Sequence, residues 1–417
     1  ALQRARVVGK FAFVQAVVQV IGFLSGILLI RYLDQREYAY FTIANTMQGT
    51  LNTLADIGIS VGLVSIGGRV WQDRSRFGQL VKTASHLRRK LGAIAAIVIT
   101  PILFFMLVKN GALLPYTLVL IALVLAGLAV QLSLGVLGVV PRLLSDIGRI
   151  QTIDLVGAVA RLLVLVALMF LFLNSAMAVA VGSATLLLQY WMLRHYCARM
   201  IDLDAPENEE DRAAMQRFIR ALAANAVFFC FQGQITIFLI GFFGRGVTSV
   251  AEVGALGRLG MIFAVLTHLL TNIFAPAFAR CQDPKRLRWQ YAVIVGGVTA
   301  FSVVLISAAA LFPGAFLFVL GAKYAHLERE LVLMVGGAVV GALTGTFWTL
   351  NASKAWITGS WLYIPLTLAT QVALIPSTDF SSVRSVLLFN LLSALPNLLL
   401  NFALSIRGFR SQSLAAP

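Results

Sequence analysis

The sequence predicts an all-α polytopic membrane protein with about twelve transmembrane helices in two six-helix bundles. Three observations predict this class: 59% of the 417 residues are apolar, only 12% are charged, and the mean hydropathy is +0.88. A soluble protein must cover its surface with polar groups, and about 25% of its residues are charged. Because this chain carries half that fraction, lipid must form part of its solvent.

The apolar segments predict helices and exclude a barrel. Residues 162–173, LLVLVALMFLFL, are continuously apolar, whereas the strands of a membrane barrel alternate apolar and polar residues. Charges and Pro, Gly or Asn clusters divide the chain into twelve apolar runs long enough to cross a bilayer. These runs lie near residues 9–30, 38–66, 90–108, 115–140, 152–173, 175–197, 217–243, 249–278, 290–311, 328–351, 356–376 and 385–406.

The basic residues predict the orientation of these spans. The chain has 33 Lys and Arg against 17 Asp and Glu, a net charge of +16. If both termini are cytoplasmic, 24 basic residues fall on the cytoplasmic side, 7 on the outer side and two, Arg161 and Arg258, within spans. The positive-inside rule therefore places both termini in the cytoplasm. The excess charge then faces anionic membrane lipids, and nucleic acid is not an expected partner.

An acidic segment divides the chain into two nearly equal halves. Residues 202–211, DLDAPENEED, hold six of the 17 acidic residues, with no aromatic residue. This composition predicts a solvated cytoplasmic linker, which we place at 198–216. It separates an N-terminal six-helix bundle, 1–197, from a C-terminal six-helix bundle, 217–417.

Amide side chains recur on one face of two predicted spans. Asn45, Asn52 and Asp56 are spaced i, i+7, i+11 in the second span, and Asn225 and Gln232 repeat the first interval in the seventh. Such faces line either a helix interface or a wet cavity, because amides in lipid are costly. We predict that the four amides line a substrate cavity, with helix-to-helix hydrogen bonding as the alternative for each.

Two arginines lie inside spans. An arginine does not deprotonate, and an uncompensated one is too costly in the membrane interior to be accidental. We therefore predict that Arg161 and Arg258 line a cavity, with pairing to Asp154 or Glu252 as the structural alternative. A cavity whose fixed charges are guanidinium groups favours an anion, and phosphate in particular.

Three further ionisable residues lie within spans and could couple transport to an ion gradient. Asp56, Glu252 and His268 are the candidates for H+ or Na+ coupling. Asp56 could instead cap or break the second span, and His268 could be a hydrogen-bonded packing residue.

Catalytic motifs are absent from the sequence. It contains no phosphate-binding Walker loop, no GxSxG and no HExxH, and its three cysteines have no metal-binding spacing. We therefore predict a protein that is not an enzyme and has no metal or cofactor.

Several strings of the sequence carry a resemblance to a known family. They are LIRYL (29–33), REYAYF (36–41), LADIGI (54–59), AEVGALGRL (251–259) and FPGAFLFVLGAKYAHL (312–327). These strings resemble the Wzx-like polysaccharide flippases of the multidrug/oligosaccharidyl-lipid/polysaccharide (MOP) exporter superfamily. The resemblance covers the whole chain in span number, halves and orientation.

The resemblance implies two six-helix bundles that form a V-shaped central cavity, opening alternately to each side. It implies transport of an isoprenoid-pyrophosphate-linked oligosaccharide for surface polysaccharide synthesis, alongside polymerase and glycosyltransferase machinery. Arg31, Arg161 and Arg258 are the positions that would hold the pyrophosphate. The alternatives are a drug or small-metabolite antiporter of the same superfamily and a membrane glycan polymerase or glycosyltransferase.

Overall fold

The protein is all-α in a computed structural model, with no β-strand among the described residues. The described residues are 2–144, 146–170, 173–244, 246–260, 263, 266, 267, 270–281 and 283–415.

Among the described residues, ten helices begin before residue 260. They are α1 (Leu2–Tyr32), α2 (Gln35–Ala55), α3 (Ile59–Val70), α4 (Arg74–Lys109), α5 (Leu114–Leu137), α6 (Val139–Leu143), α7 (Ile147–Met169), α8 (Ser175–Met200), α9 (Glu209–Phe243) and α10 (Val247–Leu259). A π-helical turn at Leu270–Phe274 then leads into six more. They are α11 (Ala275–Arg280), α12 (Pro284–Leu311), α13 (Pro313–Leu320), α14 (Glu328–Ser353), α15 (Tyr363–Leu374) and α16 (Val383–Ala415).

Local sequence explains where several helices begin. Asp73 caps α4 by accepting hydrogen bonds from the backbone N–H groups of Ser75 and Arg76, both at 3.0 Å. Asn174 caps α8, and Asp283 caps α12 with Pro284 in its first turn. A side-chain oxygen at this position satisfies an N–H group that has no partner within the helix, and proline fits the first turn because it lacks that N–H.

The second predicted span is broken in the structure. Helices α2 and α3 meet at an angle of 44°. The break lies at Asp56–Gly58, where Gly58 has φ +71°. A Cβ on Gly58 would lie 2.9 Å from the backbone of Phe218 and Ile219 in α9. Glycine is therefore required both for the left-handed backbone and for the close approach of α9.

The third predicted span begins earlier than the sequence indicated. We expected a loop to residue 90, but α4 starts at Arg74 and runs for 36 residues. The prediction failed because charged residues were taken as the boundary, whereas Phe77, Leu80 and Ala84 are fully buried at helical spacing. Arg88 consequently lies inside a packed helix.

Ten of the twelve predicted spans correspond to membrane-length helices among the described residues. Nine helices of the described chain are long and apolar enough to cross a membrane, and the bent α2–α3 pair makes ten. The other two predicted spans, 249–278 and 356–376, contain the shorter helices α10 and α15. The protein is thus a multi-pass, all-α membrane protein.

Contacts divide the chain into two compact units. Unit 1 comprises Ala1–Phe242 with Gly246–Ala251, and unit 2 comprises Phe243–Arg245 with Glu252–Pro417. Contacts thus group most of α9 with the helices that precede it, and Met215 of α9 belongs to the buried core of unit 1. The division into halves of six spans remains a prediction.

The acidic segment between α8 and α9 packs against α4. Only residues 201–208 are non-helical, which is shorter than the linker we expected. The Asp211 carboxylate is buried and paired with both terminal nitrogens of the Arg76 guanidinium. The backbone N–H of Asn208 donates to Thr83 Oγ1 at 3.0 Å. These contacts tie the start of α9 to α4.

Candidate functional site

Unit 1 contains a polar cavity of about 440 Å³ that is lined by five helices and open on one side. Its lining residues recur at helical spacing on α1, α2, α7 and α8, and one comes from α5. Nine of them carry polar side chains: Gln19, Ser25, Asn45, Gln48, Gln131, Asp154, Arg161, Thr185 and Gln189.

Three glycines create space on the cavity wall. Gly22 of α1, Gly49 of α2 and Gly182 of α8 all line the cavity, and a Cβ on any of them would meet nothing within 4 Å. Glycine within a helix costs up to about 1 kcal/mol relative to alanine. The protein thus has helix-destabilising glycines at three positions that face the same cavity.

The cavity lining combines hydroxyl groups that are hydrogen-bonded within the protein and a buried amide oxygen that has no such partner in the described part of the chain. Ser25 and Thr185 donate to carbonyls of their own helices, Ile21 at 2.9 Å and Gly182 at 2.8 Å. Their hydroxyl protons are thus used within the protein. The Gln131 side-chain oxygen is buried and has no hydrogen-bond partner among the described residues. A hydroxyl or ammonium group of a ligand would satisfy it.

The charged lining residues come from one face of α7. Asp154 and Arg161 are seven residues apart, two helical turns, and both line the cavity with Gly157 and Ala158 between them. The site therefore offers one carboxylate and one guanidinium together with several amides. Such a lining can bind an anionic or a cationic group and can hydrogen-bond sugar hydroxyls.

The structure brings together two of the seven residues predicted to line a substrate cavity. Arg161 and Asn45 line the unit 1 cavity. The other five are absent from its lining: Arg31, Asn52, Asn225, Gln232 and Arg258. Arg31 is exposed in the last turn of α1, Asn225 and Gln232 are half-buried on α9, and Arg258 is half-buried on α10 in unit 2.

Asn52 and Asp56 belong to a second polar cluster built around Arg88. The Arg88 guanidinium donates to Asn52 Oδ1 at 3.0 Å and lies 3.3 Å from Asp56 Oδ1. Ser60 Oγ also donates to Asp56 Oδ1, at 2.8 Å. Arg88 is only 4% exposed, and it rests against Gly135 of α5, where any Cβ would overlap it. The polar face predicted for α2 is therefore split between the cavity and this cluster.

The other two predicted coupling residues lie in the second half of the chain. Glu252 lies 3.0 Å from His326 Nε2 and is largely buried. We had considered only Arg258 as its partner. His268 lies outside the described residues.

The sequence analysis missed several members of both sites. Gln131, Thr185 and Gln189 are polar residues within apolar spans, so the rule that selected Asn45 also applies to them. Asp154 was considered only as a partner for Arg161. Arg88 carried no distinguishing signal, because it lies in a run of three basic residues, 88–90, of which only Arg88 is buried.

No protein-family model matches the sequence, and no curated protein matches it. Solved structures share its fold. A multidrug resistance transporter of the MATE family, in the MOP superfamily, is 14% identical, with a TM-score of 0.74 over 97% of this chain and 100% of that one. The lipid II flippase MurJ is 9% identical, with a TM-score of 0.66 over 97% of this chain and 90% of that one.

A third structure extends the comparison. The MATE transporter VcmN of Vibrio cholerae is 14% identical, with a TM-score of 0.52 over 97% of this chain and 98% of that one. These structural neighbours are transporters and a flippase, not enzymes. The chain therefore has the twelve-helix fold of MATE-like transporters.

Proposed function

We propose that the protein is a flippase that moves an isoprenoid-pyrophosphate-linked oligosaccharide across the bacterial inner membrane by alternating access. The observation that carries this proposal is the amide-rich cavity of unit 1, which places Arg161 among hydrogen-bonding groups inside a bundle of apolar helices. Guanidinium suits phosphate, and amides suit the hydroxyl groups of sugars. The fold shared with MurJ and the resemblance to Wzx-like flippases support the same substrate class.

The proposed roles follow the position of each residue. Arg161 holds the phosphate groups, and Asn45 with Gln48, Gln131 and Gln189 contacts the adjoining sugar. Four other residues were predicted from the sequence to bind substrate: Arg31, Arg258, Asn225 and Gln232. We propose that they contact the substrate elsewhere on its path. Both termini face the cytoplasm in this proposal.

A drug or small-metabolite antiporter is the second candidate function. Asp154 favours it, because a carboxylate in the same cavity attracts an organic cation. The fold shared with MATE transporters supports this function equally well. The two candidates differ in which charged residue of α7 binds the substrate.

Ion coupling is part of both candidate functions. Glu252, paired with His326, is the proposed coupling group among the described residues, and His268 is the further candidate from the sequence. Asp56 is a weaker candidate than the sequence indicated, because Arg88 and Ser60 already occupy its carboxylate.

Reconstituted liposomes would test the function directly. We expect the wild-type protein to move a fluorescent lipid-linked oligosaccharide between leaflets without a change in its length. Arg161→Gln should reduce this rate at least about tenfold, because a bond to a charged group contributes about 1.5–3 kcal/mol. Arg161→Lys should retain part of the rate. Arg89→Gln, which removes an exposed arginine outside the cavity, is the matched control.

The same liposomes would separate the alternatives. An antiporter should export a cationic dye, lose that activity in Asp154→Asn and keep it in Arg161→Gln. Growth of the oligosaccharide would instead identify a polymerase or glycosyltransferase. Full flippase activity of Arg161→Gln would refute the proposed role of the cavity.

A further inference from the structure

Unit 2 contains a groove of about 380 Å³ that lies apart from the residues discussed above. It is lined by Arg288 and Tyr291 of α12 and by Ile406, Phe409 and Arg410 of α16. Two basic groups thus stand beside three apolar or aromatic side chains. This combination, a cationic end and an apolar wall, matches an amphiphile with an anionic head.

The aromatic wall of the groove is held by packing. The rings of Tyr291 and Phe409 meet edge to face, with centroids 5.0 Å apart, and Phe409 meets Trp356 at 4.8 Å. A Cβ on Gly408 would overlap the indole of Trp356. The glycine therefore allows Trp356 to pack against the C-terminal part of α16. The wall is therefore preformed, which lowers the entropic cost of binding a ligand.

The groove lies near the ends of the two helices that form it. Arg288 lies in the second turn of α12, and Arg410 lies near the end of α16. The neighbouring Trp289 is 65% exposed, as expected for a tryptophan at the membrane–water interface. In a bilayer spanned by these two helices, both guanidinium groups would lie at the level of the lipid phosphates, and Tyr291 and Ile406 would lie one turn further in.

We propose that this groove binds one anionic phospholipid. Arg288 and Arg410 hold the headgroup phosphate, and the first segment of an acyl chain packs on Tyr291, Ile406 and Phe409. Arginine suits a phosphate oxygen pair because its donors form a planar fork. A free phosphate ion would gain nothing from the apolar wall, so the geometry points to a lipid. The site does not depend on which substrate the protein transports.

Lipid binding in a groove must be distinguished from general attraction of a basic protein to an anionic membrane. The chain offers a matched control on the same two helices. Arg286 of α12 and Arg407 of α16 are also exposed, but they do not line the groove. The double variants R288Q/R410Q and R286Q/R407Q remove the same charge from the same ends of the same helices.

Native mass spectrometry of the full chain in mild detergent, titrated with phosphatidylglycerol or phosphatidylcholine, measures the binding. We expect the wild type to retain one phosphatidylglycerol with preference over phosphatidylcholine. R288Q/R410Q should bind it about thirtyfold more weakly, the loss expected for two arginines at a membrane surface. R286Q/R407Q should bind it like the wild type.

A second variant tests the apolar part of the site with both charges intact. Ile406→Trp places a larger ring in the groove and should displace the acyl chain, so lipid retention should fall. Equal weakening in the two double variants would reduce the site to general charge attraction and overturn the proposal. Unchanged binding in Ile406→Trp, or displacement of the lipid by inorganic phosphate alone, would also overturn it.

Discussion

Two arginines of unit 1 lie inside its helix bundle and differ in their surroundings. Arg88 is 4% exposed, donates to Asn52 and pairs with Asp56, and packs on the backbone of α5. Arg161 instead lines a cavity with space for ligand. The two residues show that an arginine inside a helix bundle can either join neighbouring helices or border a volume that a second molecule could enter.

The comparison extends to the other polar groups of unit 1. Glu37 resembles Arg88, because its carboxylate oxygen accepts hydrogen bonds from Tyr116 Oη at 2.6 Å and from Ser175 N and Oγ, both at 2.7 Å. Gln131 lines the same cavity as Arg161, and its side-chain oxygen has no hydrogen-bond partner among the described residues. The Glu37 and Arg88 clusters thus join helices to one another, whereas Gln131 and Arg161 border an open volume.

The largest expected effect concerns the Arg88 cluster. Arg88→Ala should lower the free energy of unfolding by about 2–5 kcal/mol, because it empties the space of a buried side chain and removes the partner of Asn52 and of the partly exposed Asp56. The same change at Arg161 should cost much less, since water can enter the cavity and solvate the remaining groups. Thermal unfolding in detergent, followed by tryptophan fluorescence, measures both.

Arg89→Ala is the control for this prediction, because the neighbouring side chain is exposed. The double variant Asp56→Asn with Arg88→Met should recover much of the lost stability, since it removes both charges together. Equal melting temperatures for Arg88→Ala and Arg161→Ala would contradict the prediction that Arg88 stabilises the fold more than Arg161 does.

A smaller effect is expected at Glu37. Glu37→Ala should destabilise the protein by about 1–3 kcal/mol, because Tyr116 and the start of α8 would lose a shared acceptor. The exposed Asp34, at the start of α2, supplies the control variant Asp34→Ala. Melting temperatures of the two variants in the same detergent measure this loss of stability. Identical values would show that the Glu37 cluster adds no stability.

The sequence predicted the class of the fold well because membrane helices are specified by composition alone. The continuous apolar run at 162–173 predicts a helix in lipid, and α7 follows it as far as Met169. Ten of the twelve predicted spans coincide with helices of the described chain that are long and apolar enough to cross a membrane. Boundaries were predicted less well where charged residues continue a helix, as at the start of α4. A charged side chain contacts either water or another group of the protein, and a single sequence does not show which of the two applies.

The candidate site was predicted only in part for a related reason. Asn45, Asn52 and Asp56 share one face of a continuous helix, but the turn at Gly58 and the burial of Arg88 assign the last two to another cluster. That assignment depends on which helices are neighbours. Helix periodicity gives the direction of a side chain and not its partner, so the split between cavity and cluster required the tertiary structure.

The smallest expected change in stability comes from the glycines of the cavity wall, and it has the opposite sign. Gly22→Ala, Gly49→Ala and Gly182→Ala should each raise the free energy of unfolding by up to about 1 kcal/mol, since alanine favours the helix and the new methyl group meets open space. Each should also slow transport, because the methyl group occupies the cavity.

Gly233→Ala on α9 is the control: its Cβ also meets open space, and it lies outside the lining. It should gain stability and keep its transport rate, so equal transport by all four variants would show that the cavity volume is not used by substrate.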